Sequence, residues 1–378
     1  MMKKIISVIL ALMMTLCALP AQADIAADLE AGRSMSFDEL LEKARQESGN
    51  FVVAGNTSRI VKAAAAFASL YDIDIEATNM KDQTIYDKLD SSVVDMVMIQ
   101  DGAHLREHIA DGSVLNFIPS SIGEAVSEAE KKPALVQQYI NKVFIYNNLG
   151  DDVPAIRNVW ELTDPALKGR VLFKNPLKET VNMNFLVMLT NDFWSARLAE
   201  AYKAWKGEDI RLDGYRNAGY KWIAEFLQNV SFISSDSTIA EKLSEETAAG
   251  KIGLFVLNKL RSKTVNTENL TVAQADGVSH GYSVEPFAGF MYPMYAMIPA
   301  NAQRPYTAML FIDYLMSEEG FAFWGESIGA YSPNPAIPAS DIDSNLDLDT
   351  WKATLVIEDP DYILANIEVE DFIRGYCK

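Results

Sequence analysis

The sequence predicts an α/β protein of two lobes, each a mixed, mostly parallel sheet flanked by helices, with strands crossing directly between them. Three observations carry this. Short apolar runs alternate with amphipathic segments along most of the chain, the pattern of a mostly parallel sheet. The length exceeds what one core normally holds. No Gly/Ser-rich or Pro-rich linker separates the two halves, so the lobes are expected to be joined by strands.

The chain has 378 residues. Met1–Ala23 combines Lys3 and Lys4, an apolar stretch Ile5–Leu16 and "ALPAQA". This is the grammar of a secretory signal peptide cut after Ala23. The apolar stretch of about a dozen residues falls short of the roughly 20 a spanning helix needs. Cys17 raises lipid attachment, but Leu16 stands where a lipobox wants a small residue. Losing Lys3 and Lys4 moves the formal net charge from −19 to about −21. Such a balance argues against nucleic acid and anionic membrane surfaces as partners. Cys377 is then the one remaining cysteine, so no internal disulfide is expected.

Residues 24–49 read as a helical lead-in. In "SFDELLEKARQ", Ser36 and Glu39 form a capping-box pattern. Phe51–Ala54 reads as a strand and stops at Gly55-Asn56-Thr57-Ser58-Arg59, before an alanine-rich helix and a second strand at Ile73–Ala77. Asp82–Leu89 is helical. "VVDMVMIQ" (Val93–Gln100) is the continuous apolar strand of a buried parallel sheet, and "DGAHLREHIADG" opens the next helix. Ligands of such sheets sit beyond the carboxyl ends of the strands. Asn56–Arg59 and Gln100-Asp101 are therefore expected to face one cleft.

"NKVFIYNN" (Asn141–Asn148) is a further strand, Leu162–Gly169 a loop, and "RVLFKNP" a strand and turn. Helical patterns cover Asn184–Trp205 and Tyr215–Leu227. "VSFISSDSTIAEKLSEETAAGKIGLFVLN" repeats the opening grammar of strand, polar turn, helix, Gly250 and strand. "SVEPFAGFMYPMYAMIPA" is strand-like, and "RPYTAMLFIDYLMSEEGFAFWG" is an amphipathic helix pair.

Several of these stretches resemble the extracellular solute-binding proteins of ABC importers, of the two-lobed periplasmic binding protein type II architecture, close to the ferric-binding branch. "WELTDPALKGRVLFKNP" is similar to that family's entry to the second lobe. "AAGKIGLFVLN" is similar to its segment of glycine, charged residue, strand and asparagine. "MIPANAQRPYTAMLFIDYLMSEEG" is similar to its C-terminal helix. The likeness covers roughly residues 35–335. It implies lobe 1 from residues 24–146 and 284–330, lobe 2 from 147–283, and hinge crossings near Tyr146–Asn148 and Ser283–Phe287. Residues 331–378 form an extension outside the likeness.

The resemblance implies a periplasmic, monomeric, non-enzymatic protein without a cofactor. It would capture a small polar solute by hinge closure and deliver it to an inner-membrane permease. The candidate ligand-binding residues are Asn56, Thr57, Ser58, Arg59, Gln100, Asp101, Lys174, Asn175, Thr180, Asn182, Ser235, Asp236, Lys259 and Tyr292. Tyr282, Phe290 and Tyr295 lie near the return crossing, where a core or hinge role competes with ligand contact. Trp160 reads as core.

Ferric members carry adjacent tyrosines after the asparagine that ends the second-lobe strand. Here Asn258 is followed by Lys259, Leu260 and Arg261, which lack the hard anionic oxygens Fe(III) takes. With Arg59 and Lys174 these cations suit a phosphorylated or carboxylated compound. A sugar, a polyamine or ferric iron are the alternative solutes of the same fold. "HLREH" matches H-x-x-E-H, so a zinc-dependent hydrolase using His104, Glu107 and His108 is the remote alternative. It lacks a recognisable third ligand.

Overall fold

The computed structural model describes residues 25–89, 93–149, 156–273, 283–325, 329–339 and 346–377. The leader with Cys17, and Tyr282, lie outside the described residues. No helix among the described residues is long and apolar enough to cross a membrane.

Lobe 1 opens with α1 (Ile25–Gly32) and α2 (Phe37–Ala44). The capping box at α2 forms: Glu39 N–H donates to Ser36 Oγ (3.3 Å) and Ser36 N–H to Glu39 Oε2 (2.8 Å). Then come β1 (Phe51–Gly55), α3 (Ser58–Tyr71), β2 (Ile75–Asn79), α4 (Asp82–Leu89), β3 (Met96–Ile99), α5 (Gly102–Ala110) and the short β4 (Val114–Leu115). The second strand starts two residues later than the apolar pattern suggested. Helix α3 runs to Tyr71 and ends in a left-handed cap at Asp72 (φ 57°), so Ile73 is still part of the turn.

The long strand β5 (Val136–Asn147) leads into lobe 2, made of β6 (Val171–Lys174), α6 (Thr180–Met188), α7 (Asp192–Lys206), α8 (Ala218–Asn229), β7 (Val230–Ile233), α9 (Asp236–Leu243), β8 (Ile252–Val256) and β9 (Leu270–Val272). The chain returns through β10 (Gly289–Pro299) to α10 (Pro305–Leu315) and α11 (Glu318–Gly325). The expected helix over Asn184–Trp205 is two helices, because Asn191 stops one and caps the next by accepting from Trp194 N–H (2.8 Å).

The sheet order is β2-β1-β3-β10-β5-β8-β6-β7. β2, β1 and β3 are parallel, as are β8, β6 and β7. The antiparallel pair β5–β10 sits between the two sets, pairing from Gly289 with Val143 to Tyr295 with Val136. This ladder is the crossing between the lobes, and its centre lies upstream of Tyr146–Asn148 and downstream of Ser283–Phe287. Gly289 makes the close approach feasible. Its φ is +150°, and a Cβ there would meet the Lys142 carbonyl oxygen at 2.1 Å.

Among the described residues two apolar cores result. The lobe 1 core gathers Leu40, Phe51, Phe67, Met96 and Phe311. The other gathers Trp160, Trp222 and Phe226 of lobe 2 with Phe287 of the returning segment and runs on to Trp351. Trp160 is fully buried, and its Nε1–H donates to the Leu198 carbonyl (2.7 Å). Each such side chain contributes about 1.5–3 kcal/mol by leaving water.

The described residues of the C-terminal extension, from Ala330 onward, form β11 (Ala330–Tyr331), α12 (Leu348–Thr354), β12 (Val356–Ile357), α13 (Pro360–Ala365) and α14 (Val369–Arg374). Strand β12 pairs with β10, and α13 packs on both α5 and α6. Glu358 ties the two lobes. It accepts from Gly102 N–H at the start of α5 (3.1 Å) and from Asn184 Nδ2 of α6 (3.1 Å). Arg106 of α5 pairs with Asp361 (2.6 Å). Cys377 is buried, which pushes its thiol up to about 11.

Burial, and then the nearby Asp101, push the Glu358 carboxyl up to about 8. An acid whose folded-state pKa exceeds its unfolded value favours folding most below the unfolded value, and that contribution is lost as pH rises through the folded one. Stability should therefore fall between about pH 4.5 and pH 8. Asp82, raised to about 7 by burial and Asp101, shares the window. Glu358→Gln should reduce the slope, measured as urea-unfolding free energy at pH 5 and pH 8. An unchanged slope would remove Glu358 as a source.

Candidate functional site

The parallel strands of both lobes end at one interlobe cleft. From lobe 1 come Asn56–Arg59 after β1, Asn79 at the end of β2 and Gln100 after β3. From lobe 2 come Lys174 at the end of β6, Asp236 and Ser237 after β7, and Asn258, Lys259, Arg261 and Ser262 after β8. Ile140 and Lys142 of β5, with Tyr292 of β10, contribute from the crossing strands. Together they line a cavity of about 660 Å³. Thr57 caps α3, accepting from Arg59 N–H (3.3 Å).

The wall nearest lobe 2 is an ion-paired network around Lys142. This lysine is 1% exposed. Its Nζ donates to Asn182 Oδ1 (2.8 Å) and Asp236 Oδ2 (3.3 Å). Lys174 pairs with Glu179 and lies 3.5 Å from Asp236 Oδ2. Asn182 Nδ2 donates to the Lys174 carbonyl (2.9 Å). Burial lowers the pKa of Lys142, against the pull of Asp236. Burial also lowers Lys174, and Lys142 adds to it. At Asp236 burial works upward, but Lys142 and Lys174 outweigh it and hold the carboxyl below its ordinary value. Both carboxylates of this wall are therefore matched by lysines.

Further cations complete the lining. Arg59 reaches in from lobe 1, and its pKa is lowered first by burial and then by Arg261 across the cleft. Lys259 stands on the same lobe 2 turn as Arg261. The cavity thus has five cationic side chains, Arg59, Lys142, Lys174, Lys259 and Arg261, against two carboxylates, Glu179 and Asp236. The lining as a whole carries a positive balance.

A second compartment of about 860 Å³ adjoins the first, sharing Asn56, Gln100, Lys174 and Glu179 with it. Its other walls include His104, Thr180 and Arg374, so the C-terminal extension forms one side. The hydrogen bond from Gln100 Nε2 to Glu179 Oε1 (3.0 Å) spans the lobes where the compartments meet.

Of the residues expected at the site, Asn56, Thr57, Ser58, Arg59, Gln100, Lys174, Asp236, Lys259 and Tyr292 line the first compartment and Thr180 the second. Asp101, Asn175, Asn182 and Ser235 line neither. Asp101 is buried at the start of α5, where it accepts from His104 N–H (3.3 Å) and holds His104 Nδ1 (2.7 Å). Asn175 accepts from Leu177 N–H (2.9 Å), and Ser235 from Thr238 N–H (3.1 Å). Their side chains are spent on their own helix starts, and Asn182 lies behind Lys142. Phe290 and Tyr295 are buried in the core. Lys142, Asn79 and Glu179 were missed; the one available signal was a lysine interrupting the apolar run of β5.

The H-x-x-E-H histidines are engaged separately. His104 pairs with Asp101, which raises its pKa to about 9, while His108 Nδ1 meets Ser113 Oγ (2.9 Å) and its ring stacks on Tyr86. Among the described residues no group of three His, Cys, Asp or Glu is placed to hold a metal ion.

Two lobes joined by a crossing pair of strands, with parallel strand ends facing one cleft, make a type II periplasmic binding protein fold. Solved structures share it. Iron-bound HitA from Pseudomonas aeruginosa matches with a TM-score of 0.65 and 13% identity, over 87% of this chain and 99% of that one. An ABC transporter protein from Clostridium perfringens matches at 0.60 and 13%, over 87% and 100%. The spermidine/putrescine ABC transporter substrate-binding protein PotD from Streptococcus pneumoniae matches at 0.58 and 14%, over 88% and 100%. No protein-family model and no curated protein matches the sequence.

Lys142 and Asp236 form a buried pair, and removing one partner leaves the other uncompensated. Lys142→Met should cost about 3–5 kcal/mol of stability, and adding Asp236→Asn should recover part of it. Urea unfolding of both variants measures this. A cost below about 1 kcal/mol for the single change would mean the lysine is not held as a buried charge.

Proposed function

We propose that this protein is the substrate-binding component of an ABC import system and captures a small organic anion between its lobes. The observation that carries the reading is the excess of cations in the cleft of a chain whose net charge is −19. A strongly acidic protein that concentrates two arginines and three lysines in one cavity spends desolvation free energy there, and a phosphate or carboxylate offsets it. Lys259 and Arg261 occupy the turn where ferric binding would want tyrosines. They and Arg59 also repel the ammonium groups of a polyamine.

Closure follows from contacts on both sides. Arg59 and Gln100 belong to lobe 1, Lys174, Lys259 and Arg261 to lobe 2. A ligand touching both sets favours the closed state by its differential affinity. Lobe 1 (24–146 and 284–330) and lobe 2 (147–283) then turn about the β5–β10 ladder. Export to the periplasm with removal of the leader after Ala23, action as a monomer and delivery to a membrane permease belong to the same reading.

A thermal-shift panel of phosphorylated compounds, carboxylates, sugars, polyamines and Fe(III) tests it. A true ligand at 100 times its Kd adds about 2.7 kcal/mol. Arg59→Ala and Arg261→Ala should each reduce that by at least about 1 kcal/mol, and small-angle scattering should show compaction on binding. A panel in which only polyamines, only Fe(III) or only neutral sugars respond would overturn the anion assignment.

A further inference from the structure

We infer that the C-terminal extension is an interlobe strap: seated on α5 of lobe 1 and on α6 of lobe 2 at once, it restrains the separation of the lobes and must slip off one of them for the cleft to open. The inference rests on the two-lobed fold and is independent of what the ligand is. The strap has three stretches. Beside the crossing ladder, β11 pairs with β5 and β12 with β10. Lys352 pairs with Glu130 there, its ammonium 4.5 Å from the centre of the Tyr139 ring of β5. At its far end the strap holds lobe 2. Tyr362 Oη meets Thr190 Oγ1 (3.0 Å), Glu368 lies 3.8 Å from Arg216, and the Phe372 ring stands edge-on to Tyr220 with centroids 5.0 Å apart.

Between these ends, residues 358–361 bridge the lobes. Glu358 accepts from Gly102 N–H of α5 and from Asn184 Nδ2 of α6, one oxygen to each lobe. Asp359 N–H reaches Met188 Sδ of α6 (3.4 Å), and Asp361 takes Arg106 of α5. Gly102 makes the seat on α5 possible. A Cβ there would meet Pro360 Cγ at 2.7 Å and Glu358 Oε1 at 2.8 Å. The stretch beside the ladder lies near the axis about which the lobes would turn, so rotation disturbs it least. The bridging stretch lies away from that axis, and its two sets of contacts cannot both persist once α5 and α6 move apart. The strap therefore biases the lobes toward the approached arrangement, in which Gln100 already touches Glu179 across the cleft (3.0 Å).

Pulsed electron–electron distance measurement on the full chain, with no ligand added, tests the inference. Nitroxide labels go on Lys62→Cys in lobe 1 and Lys242→Cys in lobe 2, both exposed, with Cys377 replaced by serine. The parent should give one narrow distance distribution. Gly102→Ala drives a methyl into Pro360 and Glu358 at a helical position that favours alanine, and Arg106→Glu sets like charge against Asp361. Each should shift the distribution or add a second population at a different interlobe distance. Combining Arg106→Glu with Asp361→Arg restores an ion pair and should return the parent distribution. Arg106 and Asp361 are 40% and 72% exposed, so Arg106→Glu decides the matter should Gly102→Ala fail to fold. Distributions unchanged in both single variants, or a parent as broad as they are, would overturn the strap. So would a change in Arg106→Glu that Asp361→Arg does not reverse, since it would then arise within α5. Each of these outcomes leaves the anion assignment to the thermal-shift panel.

Discussion

The cleft depends on one lysine placed where lysines are rarely found, inside the strand that joins the lobes. Removing the Lys142 ammonium from water is costly, and the fold must compensate it locally. It does so with Asn182 from α6 and Asp236 from the start of α9. Those two contacts set where both helices begin relative to β5. Asp236 in turn approaches Lys174, and Lys174 holds Glu179. A chain of charges thus radiates from the crossing strand to the cleft surface. The same residue's carbonyl faces Gly289, where any side chain would push β10 away. The contact between the crossing strands and the chemistry of the cleft are therefore fixed at one point.

A second constraint acts from the C-terminus. The described residues past Tyr331 contact both lobes rather than trailing from one. Glu358 takes donors from α5 and α6, and α13 packs between the same two helices. Any rotation about the β5–β10 ladder must carry this segment with one lobe or strain its hold on the other. The extension also lines the second compartment through Ile367, Glu370 and Arg374. It therefore borders the cleft on that side. Its buried Glu358 carboxyl, pushed up to about 8 by burial and by Asp101, makes that hold dependent on protonation.

Much of the fold was legible because its signals are local. The Ser36–Glu39 box, the polar turn after β1 and the continuous apolar run of β3 each follow from nearest neighbours in the chain. The first half of β5 was not, because Gln137 and Gln138 interrupt its apolar pattern. Both are fully buried, and their amides are used on Leu315 and Met294, far away in sequence. The site shows the same division. Strand ends pointed to the correct loops, but polar residues at a helix start often cap it instead of facing outward. Asp101, Asn175 and Ser235 do so. Lys142 carried too weak a signal, since a lysine within a strand usually means an exposed edge. Glu179 was passed over because its role comes from Gln100 and Lys174, one of them in the other lobe.

The contrast between an acidic exterior and a basic cleft has its own logic. At physiological ionic strength exposed charges are screened beyond about 8 Å, so the surface repels an anion only weakly until it is close. Within the cleft the dielectric is lower and Arg59, Lys259 and Arg261 act at short range. The exterior therefore governs solubility, and the cavity governs choice. On the same anion reading, a cation would experience the reverse, attracted to the surface and opposed inside. Selectivity of this kind needs no contact beyond those already present. On the proposed anion reading, the five cationic side chains that share the cavity with two carboxylates are what would favour negative charge.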